Sequence, residues 1–392
     1  MRIGFVSRYP PVHCGIGEYT RFLADAIASL SRKVEVIVFS TTEAGVEPYH
    51  VGRIKVVPSF ERLGPPFSTL LNKLADEDGV DVLHLQHEYG IFGEGDAIVD
   101  TMVEAIRERL AKVVVATLHT VYHPYAVGDR SERLTFMHRA ASELDTVVVH
   151  SHIQEFELYS QGVDLHKVHR IPHGTLINPY VGHNRFELAE SLGIELSLIR
   201  GYVITTPGFI RPDKGLRTLL EAEDRLSKLR SDYTIIVAGE PQGRDSAAEY
   251  MWLIEEAENR GRLVLLRRYL NSDELLRLAA LADIIVLPYR DRPGKYSVSG
   301  ILHISMGSMK PIVGTRVPRL IELYQFAPRL TISPGQADEL SKLLNWLIEN
   351  YDYAVAYMTT LYSYAVRTIW LRAARKHLAL YTKLLAKRMS AA

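Results

Sequence analysis

Short runs of consecutive apolar, mostly β-branched residues alternate with amphipathic stretches along the first half of the chain. Arg2–Val6, Val34–Phe39, Ile54–Pro58, Val82–Gln86, Val113–Leu118 and Thr146–His150 are apolar at nearly every position rather than at every second one. That pattern predicts strands buried on both faces. Between them, Gly17–Leu30 places Tyr19, Phe22, Leu23, Ala26, Ile27 and Leu30 at helical spacing, and Ala97–Leu110 and Ser131–Leu144 read the same way. The first alternation closes near Ile171-Pro172-His173-Gly174, and Leu176–Gly193 reads as loop and short helix. A second alternation follows, with strands predicted at Tyr202–Thr205, Thr234–Ala238, Leu263–Leu266, Ile284–Leu287 and Ile312–Val313. Helices predicted at Gly215–Leu229, Ala247–Arg260, Ser272–Ala280 and Ala337–Asn350 separate these strands, and an amphipathic, basic helix, Trp370–Lys387, lies beyond them.

Buried strands joined by helices imply an α/β fold with parallel sheets. Two such alternations predict two Rossmann-like domains, 1–195 and 196–369, facing each other across a cleft that is the natural ligand site. Composition narrows the class. Lys+Arg and Asp+Glu number 46 each, so net charge gives no reason to expect nucleic acid as a partner. One cysteine, Cys14, rules out an internal disulfide framework and fits a reducing compartment. No apolar run approaches the roughly 18 residues of a membrane span, and the start, MRIGFVSRYP, is too short in apolar residues for a signal peptide. A soluble, cytoplasmic protein is expected. Arg367, Arg372, Arg375, Lys376, Lys383, Lys387 and Arg388 near the C-terminus leave peripheral contact with a membrane open.

The chemistry concentrates where strands run into helices. In the stretch 203–222, VITTPGFIRPDKGLRTLLEA, a strand passes through Gly208 and a basic loop into a helix opening at Gly215. Free N–H groups and the positive end of a helix dipole there suit an anion, and Arg211 and Lys214 add two full charges. Ser299-Gly300 opens a second helix with the same potential, so two phosphate-binding features fall within one domain, which fits a nucleotide diphosphate better than a single phosphate. Gly239 and Glu240, ending a strand, and Tyr269-Leu270, following another, are candidates for the nucleoside.

In the first half, the glycines of Gly15-Ile16-Gly17 let backbone approach a bound phosphate or sugar closely. Gln86, His87 and Glu88 after a strand offer donors and acceptors to sugar hydroxyls, and His119 ends the next strand. His13, His87, His119 and His123 have no compact ligand spacing, so no metal is expected.

Together these residues resemble the retaining glycosyltransferases of family 4, which have the GT-B fold. The resemblance is carried in order by PPVHCGIGEYTRFLADAI, LHT, IPHG, GFIRPDKGLRTLLEA, VAGE, LNSDELLRLAALADIIVLPY, SGILHISMGSMKPIVGT and PRLIEL. It implies transfer of a hexose from a nucleotide-diphosphate sugar, GDP- or UDP-linked mannose or glucose, to a glycan or glycolipid, with retained configuration and without a metal or other cofactor. It implies that Lys214 holds the diphosphate, that His119 contacts the donor sugar, that the Gly15–Gly17 loop faces phosphate or acceptor, and that the helix from Trp370 packs back on the N-terminal domain. Glu322 joins the nucleoside candidates and Asp291 the catalytic ones.

The sequence departs from that pattern twice. Phe209 stands where the arginine usually follows the loop glycine, leaving Arg211 to serve. Tyr296 and Ile304 occupy the two positions of the E-x7-E signature, and no glutamate occurs between Glu274 and Glu322. The missing acids keep a non-catalytic nucleotide-sugar-binding subunit in view. A nucleotide-sugar epimerase on the same frame would need Glu88 and Asp291 as its acids.

Overall fold

The computed structural model describes residues 1–391 and divides into two compact units. The first takes Met1–Gly174, Arg292–Val298 and the chain from Trp370; the second takes Thr175–Asp291 and Ser299–Ile369. In chain order the strands are β1 (Arg2–Val6), β2 (Glu35–Thr41), β3 (Tyr49–Val51), β4 (Ile54–Phe60), β5 (Val80–His87), β6 (Ala111–Leu118), β7 (Val121–Tyr122), β8 (Thr146–Val149) and β9 (Val168–Arg170). They continue as β10 (Tyr202–Pro207), β11 (Tyr233–Ala238), β12 (Leu263–Leu266), β13 (Ile284–Leu287), β14 (Lys295–Tyr296), β15 (Ile312–Thr315) and β16 (Thr331–Ile332).

The first unit is built on one sheet in the order β3-β4-β2-β1-β5-β6-β8-β9, parallel throughout except for the antiparallel edge strand β3. Val6 pairs with Leu85 and His87 with Leu118, so β1, β5 and β6 end side by side. The loops beginning at Ser7, Glu88 and His119 therefore share one edge, where ligands of such sheets bind. β7 and β14 form a separate antiparallel ribbon, Tyr296 opposite Val121. The C-terminal helix Trp370–Ala391 packs on the helix Gly15–Leu30. Its Trp370 ring stacks on Phe22 at 5.5 Å and meets Tyr19 edge-on at 5.0 Å. Gly174 makes this fit possible, since a Cβ there would lie 2.1 Å from the indole. Farther along, the Tyr381 hydroxyl lies 2.5 Å from His84 Nδ1.

The second unit's sheet runs β12-β11-β10-β13-β15-β16, all parallel. Ile204, Ile235, Ile285 and Val313 fill its core with Leu219 and Leu344 from covering helices. The loops after β10, β13 and β15 again open on one edge.

The boundary lies at Gly174/Thr175, not at the expected 195/196. The segment between carries Leu188, Ala189, Leu192 and Ile194, which bury against Val203, Ile236 and Leu278 of the second unit. Apolar contact thus assigns a stretch that loop composition alone left with the first half. Among the described residues, no helix is long and apolar enough to cross a membrane.

Candidate functional site

The second unit gathers charge at the carboxyl edge of its sheet. After β10 the chain turns through Pro212–Lys214, and Gly215 at φ +69° starts the helix Leu216–Leu226. A side chain at Gly215 would place Cβ 1.8 Å from the Pro288 carbonyl, so glycine lets this turn press against the loop after β13. The Arg290 amide donates to the Asp213 carbonyl at 2.9 Å and locks the two loops. Lys214 Nζ consequently sits 4.0 Å from the centre of the Tyr289 ring. Arg319, from the loop after β15, lies 4.7 Å from the same ring.

Two carboxylates lie among these cations. Arg211 donates through Nε and Nη2 to both oxygens of Asp213, at 3.0 and 2.9 Å, and through Nη1 to Gln242 at 3.2 Å. Arg319 Nη2 reaches Asp213 Oδ2 at 2.7 Å and also pairs with Asp291. With all five groups ionised, Arg211, Lys214 and Arg319 against Asp213 and Asp291 leave one net positive charge. Burial pushes the Asp213 pKa up, but Arg319, Arg211 and Lys214 outweigh it and hold the carboxyl well below its ordinary range. For Lys214, burial and then the charges of Arg319 and Arg211 drive the ammonium pKa well below that of free lysine.

Of the predicted site residues, the structure brings Arg211, Lys214, Asp291 and Ser299 to this cluster; Arg319 was missed. Its signal is a basic residue four positions beyond Thr315, the end of a strand adjoining β13. The Ser299 amide, expected to face the donor, instead donates to the Arg319 carbonyl at 3.1 Å. Its hydroxyl accepts from the Leu302 amide and lies 3.2 Å from the Tyr289 hydroxyl. The helix it caps, Gly300–Ser305, is six residues long, too short for an appreciable dipole, and Gly300 is exposed at its start.

The nucleoside candidates separate. Gly239, at φ +157°, packs where a Cβ would lie 2.1 Å from the Gly208 carbonyl, which explains the glycine without a ligand. Glu240 is half-buried and its carbonyl accepts from the Ile210 amide, while Tyr269 lies 5.8 Å from the Phe209 ring. Leu270 is a core residue with Val203 and Leu278, not a cover for a base. Glu322 is buried 3.5 Å from His303 Nε2.

In the first unit, Gly15 is exposed, Ile16 half-buried and Gly17 buried at the start of the first helix. Side chains of β5 alternate across the sheet. His84 and Gln86 face one side, and Gln86 Oε1 lies 2.9 Å from His119 Nε2. His87 faces the other and stacks on Phe136 at 3.6 Å inside the apolar core, so it is no sugar ligand. Burial lowers its pKa to about 3. Glu88 is likewise spent on structure: it caps the short helix Tyr89–Phe92 and accepts from the Thr120 hydroxyl at 2.8 Å. The other ring nitrogen of His119 lies 3.4 Å from His150 Nε2. Burial, then His150 and His84, hold the His119 pKa well below its usual value, so the imidazole is neutral near pH 7. Its contact with a donor sugar would require one of these two partners to yield.

The E-x7-E positions are structurally reassigned as well. Tyr296 is drawn into β14, where its carbonyl accepts from Gln154 Nε2 at 3.4 Å, and Ile304 is half-buried on the short helix.

Comparison with known proteins accords with this architecture. A family model described as Glycosyltransferase Family 4 matches residues 14–175, and one described as Glycosyl transferases group 1 matches 201–350. No curated protein matched the chain. Among solved structures, sucrose-phosphate synthase from Thermosynechococcus elongatus is 17% identical and superposes with a TM-score of 0.76, covering 99% of this chain and 100% of its own. HepE from Anabaena, solved with UDP and glucose, gives 17% and 0.73, covering 98% and 99%. WaaG, a glycosyltransferase involved in lipopolysaccharide biosynthesis, gives 14% and 0.70, covering 97% and 99%. At such identities the likeness is one of fold. Two Rossmann-like units, with a family model on each across most of the sequence, make the chain a member of the group 1 glycosyltransferases of the GT-B fold, its N-terminal part of the Family 4 type.

Proposed function

We propose that the protein transfers a hexose, glucose or mannose, from a UDP- or GDP-sugar to a glycan or glycolipid acceptor with retention of anomeric configuration. The observation that carries this reading is the cation cluster of Arg211, Lys214 and Arg319 at the carboxyl edge of the second sheet. In the reaction, the bond from the anomeric carbon to the diphosphate oxygen breaks and the acceptor oxygen bonds to that carbon on the same face. The acceptor's proton passes to the departing phosphate oxygen, so no protein base is needed. Positive charge grows on the sugar while negative charge grows on the diphosphate, and Arg211 and Lys214 stabilise the latter. In other enzymes one preorganised contact to such a developing oxyanion contributes about 3–4 kcal/mol.

The second unit thus serves the donor. The first serves the acceptor through the Gly15–Gly17 loop and Gln86, while His119, bonded to Gln86, contacts the donor sugar at the reaction centre. HepE's complex with UDP and glucose makes UDP-glucose the first donor to try. WaaG's part in lipopolysaccharide biosynthesis supports a glycan or glycolipid acceptor. Exposed Arg372, Arg375, Lys376, Lys383 and Lys387 on the C-terminal helix would rest on an anionic bilayer holding such an acceptor.

The test incubates the full chain with UDP- and GDP-linked glucose and mannose and a panel of glycan and glycolipid acceptors, each with and without EDTA. Product with the donor's anomeric configuration by NMR is expected. An inverted product, an epimerised donor, activity abolished by EDTA, or tight donor binding without turnover would each overturn part of this reading.

A further inference from the structure

Phe209 occupies the position where an arginine would follow Gly208, yet the site has a second guanidinium beside Arg211, delivered from a distant part of the chain. Arg319 shares the Tyr289 ring with Lys214 and shares Asp213 with Arg211. It is 91% buried, and its Nε has no hydrogen-bond partner. Asp291, equally enclosed, gives one oxygen to Arg319, while its other oxygen has no partner. A guanidinium is a fork of five donors, and a carboxylate offers two acceptor oxygens. Buried ion pairs that serve only stability fill these valences, because each unfilled one costs free energy. Here both partners stay half-used, beside two cations already read as phosphate ligands.

We propose that Arg319 is the third cation of the donor diphosphate site, and that Asp213 and Asp291 are resident anions which hold the arginines in the free protein and are displaced when a phosphate group arrives. The inference rests on reading Arg211 and Lys214 as diphosphate ligands. Its physical basis is repulsion. Without a ligand, Arg211, Lys214 and Arg319 crowd like charges into a half-buried space, and the two carboxylates neutralise most of that charge. A diphosphate brings more charge and more acceptor oxygens than the shared carboxylates, and a guanidinium fork can grip those oxygens in pairs. Donor binding then becomes an exchange of anions, and affinity is set by competition with Asp213 and Asp291 as well as by attraction to the cations.

Competition predicts opposite signs for neighbouring substitutions. Calorimetry on the full chain with inorganic pyrophosphate, UDP and GDP should show that Arg319→Gln weakens binding by roughly ten- to 150-fold, the range for a charge-assisted contact. Arg319→Lys should fall between Arg319→Gln and the unsubstituted protein. Asp213→Asn and Asp291→Asn should tighten pyrophosphate binding several-fold, a gain that damage to the fold cannot produce. These two variants carry the test if Arg319→Gln does not fold. Arg319→Gln binding as tightly as the unsubstituted protein, while Lys214→Ala loses affinity, would refute the role of Arg319 and leave the function standing. Asp→Asn variants that weaken binding would show the carboxylates to be scaffold only and overturn the exchange. Lys214→Ala with unchanged affinity for all three ligands would bring down the diphosphate reading itself.

Discussion

If Lys214 holds the donor diphosphate as proposed, its environment makes donor affinity depend on pH in a calculable way. In the free protein its ammonium pKa lies well below lysine's ordinary value through burial and the charges of Arg319 and Arg211. A bound diphosphate restores the charged form, so the pKa rises on binding. Between the two values, binding must draw a proton from solution, and affinity must fall as pH climbs above the free-protein pKa. The slope is at most tenfold per pH unit, about 1.4 kcal/mol. The fall also has a floor, because a neutral lysine loses no more than the charge-assisted contact, about 1.5–3 kcal/mol or ten- to 150-fold. The decline should therefore level off within about two pH units. Calorimetry with UDP or GDP in buffers of different ionisation enthalpy reads the proton directly. Lys214→Arg, which stays charged, serves as the reference that subtracts the ligand's own titration. Identical proton uptake and identical pH slopes in the unsubstituted and Lys214→Arg proteins would refute the reasoning.

The same lysine weighs on the fold. Its folded-state pKa is below the unfolded one, so the penalty is in force at pH values below the folded pKa and fades as pH rises toward the unfolded value. Lys214→Met should raise the melting temperature of the free protein at neutral pH, by about 1 kcal/mol in denaturant titrations, while weakening diphosphate binding. Trp370→Ala removes a buried indole packed on Tyr19 and Phe22 and should cost about 3–5 kcal/mol by urea unfolding, a loss absent if that helix is merely adjacent. His87→Leu should leave transfer rates unchanged. Because the folded pKa of His87 is depressed to about 3, stability falls as pH drops below the unfolded value near 6.5, by up to about 1.4 kcal/mol per unit. The leucine variant should flatten that acid slope in melts recorded from pH 6.5 to 4.

Much of this architecture is legible in the sequence because buried parallel strands need apolar residues at every position, as in Val113–Leu118. Arg211 and Lys214 were legible because strand, turn and cations are contiguous. Arg319 was not, because it reaches them only through the strand order β10-β13-β15. The helix Tyr351–Arg367 escapes a search for apolar runs because its buried stripe, Ala354, Met358, Leu361 and Ala365, is half alanine. His87 could have been excluded from the period of two along β5, which sets it opposite Gln86. The cap role of Glu88 was hidden, since an acid after a strand reads equally as ligand or cap.

The three-segment make-up of the first unit has a consequence for synthesis. Tyr19, Phe22 and His173 form the seat of Trp370, and His84 waits for Tyr381, so these groups stay uncovered until residues 370–381 have left the ribosome. Any truncation that keeps residues 1–174 alone would carry that bare aromatic seat into solution, and a usable fragment must supply the terminal helix as a separate peptide or a fused one.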